Sequence, residues 1–329
     1  MAENPFIKQF PDLMAGKKIL YVHGFGSSGQ SGTVIRLRTV FPNAKVIAPD
    51  LPVHPEAALD LLLKVCDEER PDLIIGTSMG GMYTEQLYGY DRICVNPAFR
   101  IADTMGEHGM TGKQQFFSPR QDGVQEFYVD KTLVKEYRLI SERNFVRANN
   151  EEEQKRVFGL FGDQDELVNT HDLFCEHYAQ HIRFHGEHRM NDKSFMHSVV
   201  PVIRWIDDRQ EKRERPIIYI GIETLQAPST VKAIRFLIEH YQVFFVAPSP
   251  LERVEGDISS WLTEHIGVPA WQHTIYTHRL DLLYGDYLID KRQLPKDNRD
   301  LLTTHIEFGS DTFKTWDDII AYFSRLNGQ

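Results

Sequence analysis

Short apolar runs, each followed by a stretch of helical periodicity, recur along nearly the whole chain. This alternation constrains the fold more than any other feature. The first runs are KKILYVHG (17–24), AKVIAPD (44–50), DLIIGTS (72–78), DRICVNP (91–97), RVFGLFGD (156–163) and HIRFHGE (181–187). Strands that are apolar throughout, with helices between them, predict a parallel sheet covered on both faces. The clearest helix is PEAALDLLLKVCDEER (55–70), where Pro55 suits a first turn and the leucines recur at helical spacing. A helix near 199–207 is followed by the charged stretch DDRQEKRERP (207–216), which reads as a linker. The pattern then restarts with RPIIYIGIE, STVKAIRFLIEHY, VFFVAPS, ISSWLTEHIG, DYLID, HIEFGS and WDDIIAYFSRL. A chain of 329 residues suits two domains. The expected organisation is an α/β domain over 1–206, a linker at 207–215 and a second, smaller α/β domain over 216–329, with no internal repeat.

One stretch breaks the alternation. Between Pro97 and Arg156 the first sheet is interrupted by a segment rich in aromatics, among them Phe99, Phe116, Phe117, Phe127, Tyr128, Tyr137 and Phe145. Long insertions in compact domains are commonly lids or binding loops. The amphipathic end DKTLVKEYRLISERNF (130–145) predicts a helical lid within an insertion of about 98–155.

Composition excludes several function classes. The net charge of −10 argues against nucleic acid or an anionic membrane as the main partner. No segment reaches membrane-spanning length, and the first residues carry no apolar core of signal-peptide length, so a soluble, cytoplasmic protein is expected. Cys66, Cys94 and Cys175 are too few, and in no CxxC spacing, for a disulfide frame or a zinc site. Cys66 and Cys94 lie in apolar runs and are expected in the core.

The chemistry is expected at the strand ends. Gly76–Thr77–Ser78–Met79–Gly80 has the form G-x-S-x-G. A serine before a helix is ordinarily a cap. Here the frame follows the strand DLII and opens the helix GMYTEQLYG, the strand–turn–helix setting of a nucleophile elbow. Glycines two before and two after let strand and helix approach closely, which a cap does not require. Ser78 is therefore the candidate nucleophile, with Gly76 and Gly80 shaping the elbow.

A serine needs a base, and the base an orienting carboxylate, in the chain order Ser…Asp…His. GDQDELV, after the strand RVFGLFG, offers Asp163, Asp165 and Glu166. Asp163 reads as a turn former, and Asp165 as the residue that reaches the histidine loop. GEHRM, after HIRFH, offers His188 as the base; His197, near the start of the last helix, is the rival. The glycine-rich loop in ILYVHGFGSSGQSG (19–32) can turn backbone N–H groups into a cavity, so the amides of Phe25 and Met79 are the expected oxyanion donors. His23 is expected to shape that loop rather than react. The loop lacks the P-loop pattern and its lysine. No metal or cofactor enters this chemistry.

YVHGFGSS, GTSMGG, VNPAF, FGDQDELV and the G-x-H after the last strand resemble the α/β-hydrolase superfamily, in particular the YqiA-like esterases, over residues 17–206. The resemblance implies a triad of Ser78, Asp165 and His188, a cap region at the insertion, and hydrolysis of acyl esters or thioesters.

Residues 216–329 resemble the haloacid-dehalogenase superfamily, in particular the cytosolic 5′(3′)-deoxyribonucleotidases, on IIYIGIETL, THRLDLLYGDYLIDKR and HIEFGSDTFKTWDDIIAYF. That superfamily implies an aspartate nucleophile and a second acid two residues on; here Gly221 and Glu223 stand in those positions. Leu280 replaces the expected lysine, and Lys291 replaces one acid of the metal-binding pair that begins with Asp290. The family's cap is also missing after the first motif. These losses imply a catalytically silent domain. It is left as a structural or homo-oligomerising appendage, or as a vestigial phosphate pocket lined by Ser249, Asp286 and Glu223. The alternative to a serine hydrolase is a non-catalytic two-domain protein that senses a small phosphorylated ligand.

Overall fold

The computed structural model describes residues 4–248, 255–292 and 301–327. The chain divides into two compact units, Met1–Asp207 and Asp208–Gln329.

The strands of the first unit are β1 (Lys18–Val22), β2 (Lys45–Ile47), β3 (Leu73–Thr77), β4 (Arg92–Val95), β5 (Gly112–Gln115), β6 (Glu126–Val129), β7 (Val157–Gly162) and β8 (His181–Phe184). Six of them form one sheet in the order β2-β1-β3-β4-β7-β8, with every neighbouring pair parallel. Parallel neighbours need crossovers, which the helices Gly32–Val40, Pro55–Glu69 and Met79–Gln86 supply. Pro55–Glu69 buries Ala58, Leu59, Leu62 and Cys66, one stripe of its surface. Cys66 and Cys94 are both buried in the core. Because all six strands run the same way, the loops after β1, β3, β4, β7 and β8 open on one edge of the sheet, where α/β folds bind ligands.

The insertion contains the helix Lys131–Ser141, as the amphipathic pattern predicts, with Leu133, Tyr137 and Ile140 buried. It also contains an antiparallel hairpin, β5 with β6, that the sequence reading does not anticipate. Its strands are four residues each: GKQQ is polar, and EFYV is too short to stand out as an apolar run. The turn of this hairpin is tied to the glycine-rich loop: Phe117 N donates to Gly26 O (2.7 Å) and Ser28 Oγ to Pro119 O (2.7 Å). Asp50 accepts from both Gly29 N (2.7 Å) and Gln121 N (2.6 Å), joining the same two segments.

Two boundaries differ from expectation. The helix Val200–Glu211 takes in the first half of the stretch read as a linker. The strand β8 ends at Phe184, which leaves His185 in the following loop.

The second unit holds β9 (Ile217–Gly221), β10 (Gln242–Ala247), β11 (Thr274–Tyr276), β12 (Tyr287–Asp290) and β13 (Thr304–Glu307), in the all-parallel order β11-β10-β9-β12-β13. Helices Thr230–His240 and Trp316–Leu326 contribute Ile234, Leu237, Trp316, Ile319 and Phe323 to its core. The three-residue β11 lies at the sheet edge and is absent from the sequence reading, because a half-exposed triplet carries no apolar run. No helix among the described residues is long and apolar enough to cross a membrane.

Candidate active site

Ser78 sits on the turn between β3 and the helix Met79–Gln86, with φ 56° and ψ −122°. That backbone region is strained for any residue with a Cβ and persists only where the surroundings enforce it. They do so through glycines. A Cβ on Gly76 would run into Gly80 O and Thr84 Oγ1, and one on Gly80 into Val22 O and His23 O. Ser78 makes no side-chain capping bond to the helix it precedes. Its Oγ instead lies 3.0 Å from His188 Nε2.

His188 Nδ1 lies 2.7 Å from Asp165 Oδ2, and both side chains are largely withdrawn from solvent. The second carboxylate oxygen of Asp165 accepts from Leu167 N and Val168 N, each at 2.9 Å, which fixes its orientation. Asp163 is engaged elsewhere: it accepts from Gly186 N (3.0 Å) and faces His185 Nδ1 (3.2 Å), closing the turn between β7 and the loop after β8. Glu166 is exposed. His197 lies in the π-helical turn Phe195–Val199, and the contact to Ser78 is made by His188.

The glycine-rich loop follows β1 and abuts the elbow, where a Cβ on Gly24 would meet Ser78 Cβ at 3.3 Å. Phe25 is the next residue, and Met79 occupies the first helical position, whose N–H has no intrahelical partner. His23 is buried behind this loop. Its Nε2 accepts from Leu51 N (3.0 Å), so Nδ1 carries the proton and donates to Gly24 O (2.9 Å). Burial lowers the pKa of His23 to about 4, which keeps the ring neutral.

Asn96, which the sequence reading left without a role, is 2% exposed at the end of β4 and has φ 43°. Its Nδ2 donates to Glu187 O (3.2 Å) and His188 O (3.0 Å), and its Oδ1 accepts from Gly162 N (2.7 Å). The only signal for it was its place in VNPAF, directly after a strand.

A cavity of about 390 Å³ opens over Ser78 and His188. Its walls include Phe25 and Arg36 from the first loop and helix, Met110, Gln114 and Phe117 from the insertion, and Arg189 from the histidine loop. Arg36 is paired with Asp192 (2.6 Å), and the Arg189 guanidinium lies over the Phe117 ring at 4.9 Å.

In the second unit Gly221 ends β9, and a Cβ there would meet Glu223 Oε1 at 2.5 Å and Asp290 Cβ at 2.8 Å. Asp290 is fully buried; it faces His305 Nε2 (2.7 Å) and forms an ion pair with Arg292 Nε (2.9 Å). Leu280 packs in the core with Tyr219, Val246 and Leu288. Asp286 does not join this group. It lies just before β12 and accepts from Ile217 N (2.8 Å), at the opposite end of β9 from Gly221, because the two strands run parallel. The expected pocket membership of Asp286 is thus corrected, and Ser249 lies outside the described residues.

The family described as "Uncharacterised protein family (UPF0227)" matches residues 18–206, more than half of the chain. The chain belongs to this family. UPF0227 is the family of the YqiA-like esterases that the motifs resemble. Solved structures similar to this UPF0227 chain include Est1E from Butyrivibrio proteoclasticus, at 15% identity, covering 61% of this chain and 90% of that one with a TM-score of 0.41. A methylesterase from Arabidopsis is similar at 13% identity, covering 60% and 99% of the two chains with a TM-score of 0.33. A protein of Vibrio phage KVP40, provisionally named a 5′(3′)-deoxyribonucleotidase, is 25% identical over 127 residues, which are 37% of this chain and 73% of the phage protein. That likeness corresponds to the haloacid-dehalogenase-like unit.

Proposed function

We propose that the first unit is a serine hydrolase that cleaves acyl esters or thioesters through Ser78, His188 and Asp165. The observation that carries this reading is the relay of 3.0 Å from Ser78 Oγ to His188 Nε2 and 2.7 Å from His188 Nδ1 to Asp165. It starts from a serine held at a strained turn that lines the cavity. In the proposed reaction His188 takes the Oγ proton as Ser78 adds to the acyl carbon. The amides of Phe25 and Met79 hold the resulting oxyanion, and the protonated imidazole then returns its proton to the leaving alcohol or thiol. Water, deprotonated by the same histidine, releases the acid from the acyl-enzyme. Asp165 keeps the imidazole in the tautomer whose Nε2 is free to accept. The cavity walls contributed by the insertion would set the acyl group that fits.

The second unit is read as catalytically silent. Gly221 offers no nucleophile, and the Arg292 guanidinium already neutralises Asp290, a carboxylate that a metal-dependent phosphatase would keep for Mg²⁺.

The test is labelling with a fluorophosphonate followed by peptide mapping. The expected result is modification at Ser78, with Ser78→Ala losing label and turnover of short-chain p-nitrophenyl esters by on the order of 10⁶ in kcat. A purified Ser78→Ala protein with near-wild-type turnover would overturn the reading.

A further inference from the structure

Cysteine count and spacing argue against a zinc site, but they ignore what the fold can add from histidines. His171 and Cys175 lie one turn apart on the helix His171–Cys175, and His181 is the first residue of β8. We propose that His171, Cys175 and His181 form a binding site for a divalent transition-metal ion of the zinc class, separate from the Ser78 cavity, which none of them lines.

The geometry is that of a nearly assembled site. One ligand atom from each residue lies within 4.8 Å of the others, and all three side chains are partly buried. A tetrahedral ion bound at usual Zn–S and Zn–N lengths holds its sulfur and nitrogen ligands about 3.6 Å apart. Cys175 Sγ and His171 Nε2 are 3.4 Å apart. Rotation about side-chain bonds supplies the rest of the closure. The fourth position is left for water.

One neighbour of His171 is placed as the outer partner of a metal-bound imidazole is. Asp172 Oδ1 lies 2.8 Å from His171 Nδ1, on the side of the ring away from Nε2. A carboxylate there holds the proton on Nδ1 and leaves the Nε2 lone pair free for a metal. Cys175 Sγ lies beside the ring, 3.4 Å from Nε2 and 3.7 Å from Nδ1, so the imidazole must turn to aim that lone pair at a shared ion. Arg183 also lies on the Nδ1 side, with its Nη2 2.9 Å from Nδ1 and 3.7 Å from Asp172 Oδ1. A ring that simply accepts from Arg183 would be the metal-free arrangement, so binding must fix the opposite tautomer. One thiolate with two imidazoles selects Zn²⁺, Co²⁺ or Cu²⁺ over Mg²⁺ and Ca²⁺. On binding, the Cys175 thiol proton passes to solvent as the metal–sulfur bond forms. The filled site would tie the helix that follows the Asp165 loop to the strand that precedes the His188 loop.

The test uses the untagged full chain, stripped of metal by chelator dialysis and titrated with Co²⁺ and with Zn²⁺. The expected result is one ion per chain and a thiolate-to-cobalt charge-transfer absorption. Cys175→Ser should lose that band, and His181→Gln should weaken Zn²⁺ binding more than tenfold. Asp172→Ala should weaken it by roughly 10- to 100-fold. A wild-type chain without the charge-transfer band, or a folded Cys175→Ser chain that keeps it, overturns the proposal. If Cys175→Ser does not fold, the wild-type spectrum still decides, because the other two thiols, Cys66 and Cys94, are buried.

Discussion

Asn96 Nδ2 donates to the carbonyl oxygens of Glu187 and His188, at 3.2 and 3.0 Å, from a side chain that also accepts from Gly162 N at 2.7 Å. One buried amide thus ties the ends of β4 and β7 to the loop that carries the proposed base. The position of the imidazole depends on this amide as well as on Asp165.

Asn96→Ala is expected to lower kcat on p-nitrophenyl esters by roughly 10², the cost of about 1 Å of misplacement, with a smaller change in KM. Asn96→Asp should be comparably damaging, since it keeps the acceptor for Gly162 but sets a carboxylate against two carbonyl oxygens. An unchanged kcat with a lowered melting temperature would assign Asn96 to stability alone. The measurement is steady-state kinetics beside thermal unfolding.

His188→Ala should cost about as much as Ser78→Ala, and the double variant should be little worse than either, because triad members act as a unit. His197→Ala should cost far less. Asp165→Asn should lower kcat by on the order of 10⁴ through the wrong imidazole tautomer, whereas Asp163→Asn should be mild. Kinetics on these variants separates the two histidines and the two aspartates. A dead His197→Ala with an active His188→Ala would move the base.

The buried imidazole of His23 makes stability depend on pH. Its folded-state pKa of about 4 lies below the ordinary value of 6.5, so in acid the unfolded chain takes up a proton that the folded one refuses. This contribution is complete above about pH 6.5 and is lost as pH falls toward about 4, by roughly 3 kcal/mol in all. His23→Gln should be less stable at neutral pH, having lost the Leu51 and Gly24 bonds, and should lose less than wild type on acidification. Denaturant unfolding of both proteins at pH 7 and pH 5 checks the sign.

The full chain is expected to hydrolyse neither nucleoside monophosphates nor p-nitrophenyl phosphate, with or without Mg²⁺. Gly221→Asp should not restore activity, because the new side chain would enter space already held by Glu223 and Asp290. Mg²⁺-dependent phosphatase turnover that survives Ser78→Ala would overturn the reading of a silent second unit.

The sequence by itself carried the layered α/β architecture, because strands buried on both faces must be apolar throughout and parallel crossovers must be helical. It also carried the elbow at Ser78, because only glycines at 76 and 80 permit that close approach. It pointed to the order in which acid and base follow the serine. What it did not carry was proximity. The distances joining Ser78, His188 and Asp165 span up to 110 positions of chain, and the atoms that Asp163 and Asp165 each meet are set by the fold. Asn96 has no signal beyond its place in VNPAF; its importance lies in three partners brought together by the ends of β4 and β7 and the loop after β8. The hairpin β5–β6 was invisible because one strand is polar, the other is only four residues long, and the two pair only with each other. Asp286 was misplaced for a related reason: residues near in a motif can lie at opposite ends of a parallel sheet. Local patterns record what a backbone segment must bury, whereas the meeting of distant side chains is decided by strand order and polarity, which only the folded chain sets.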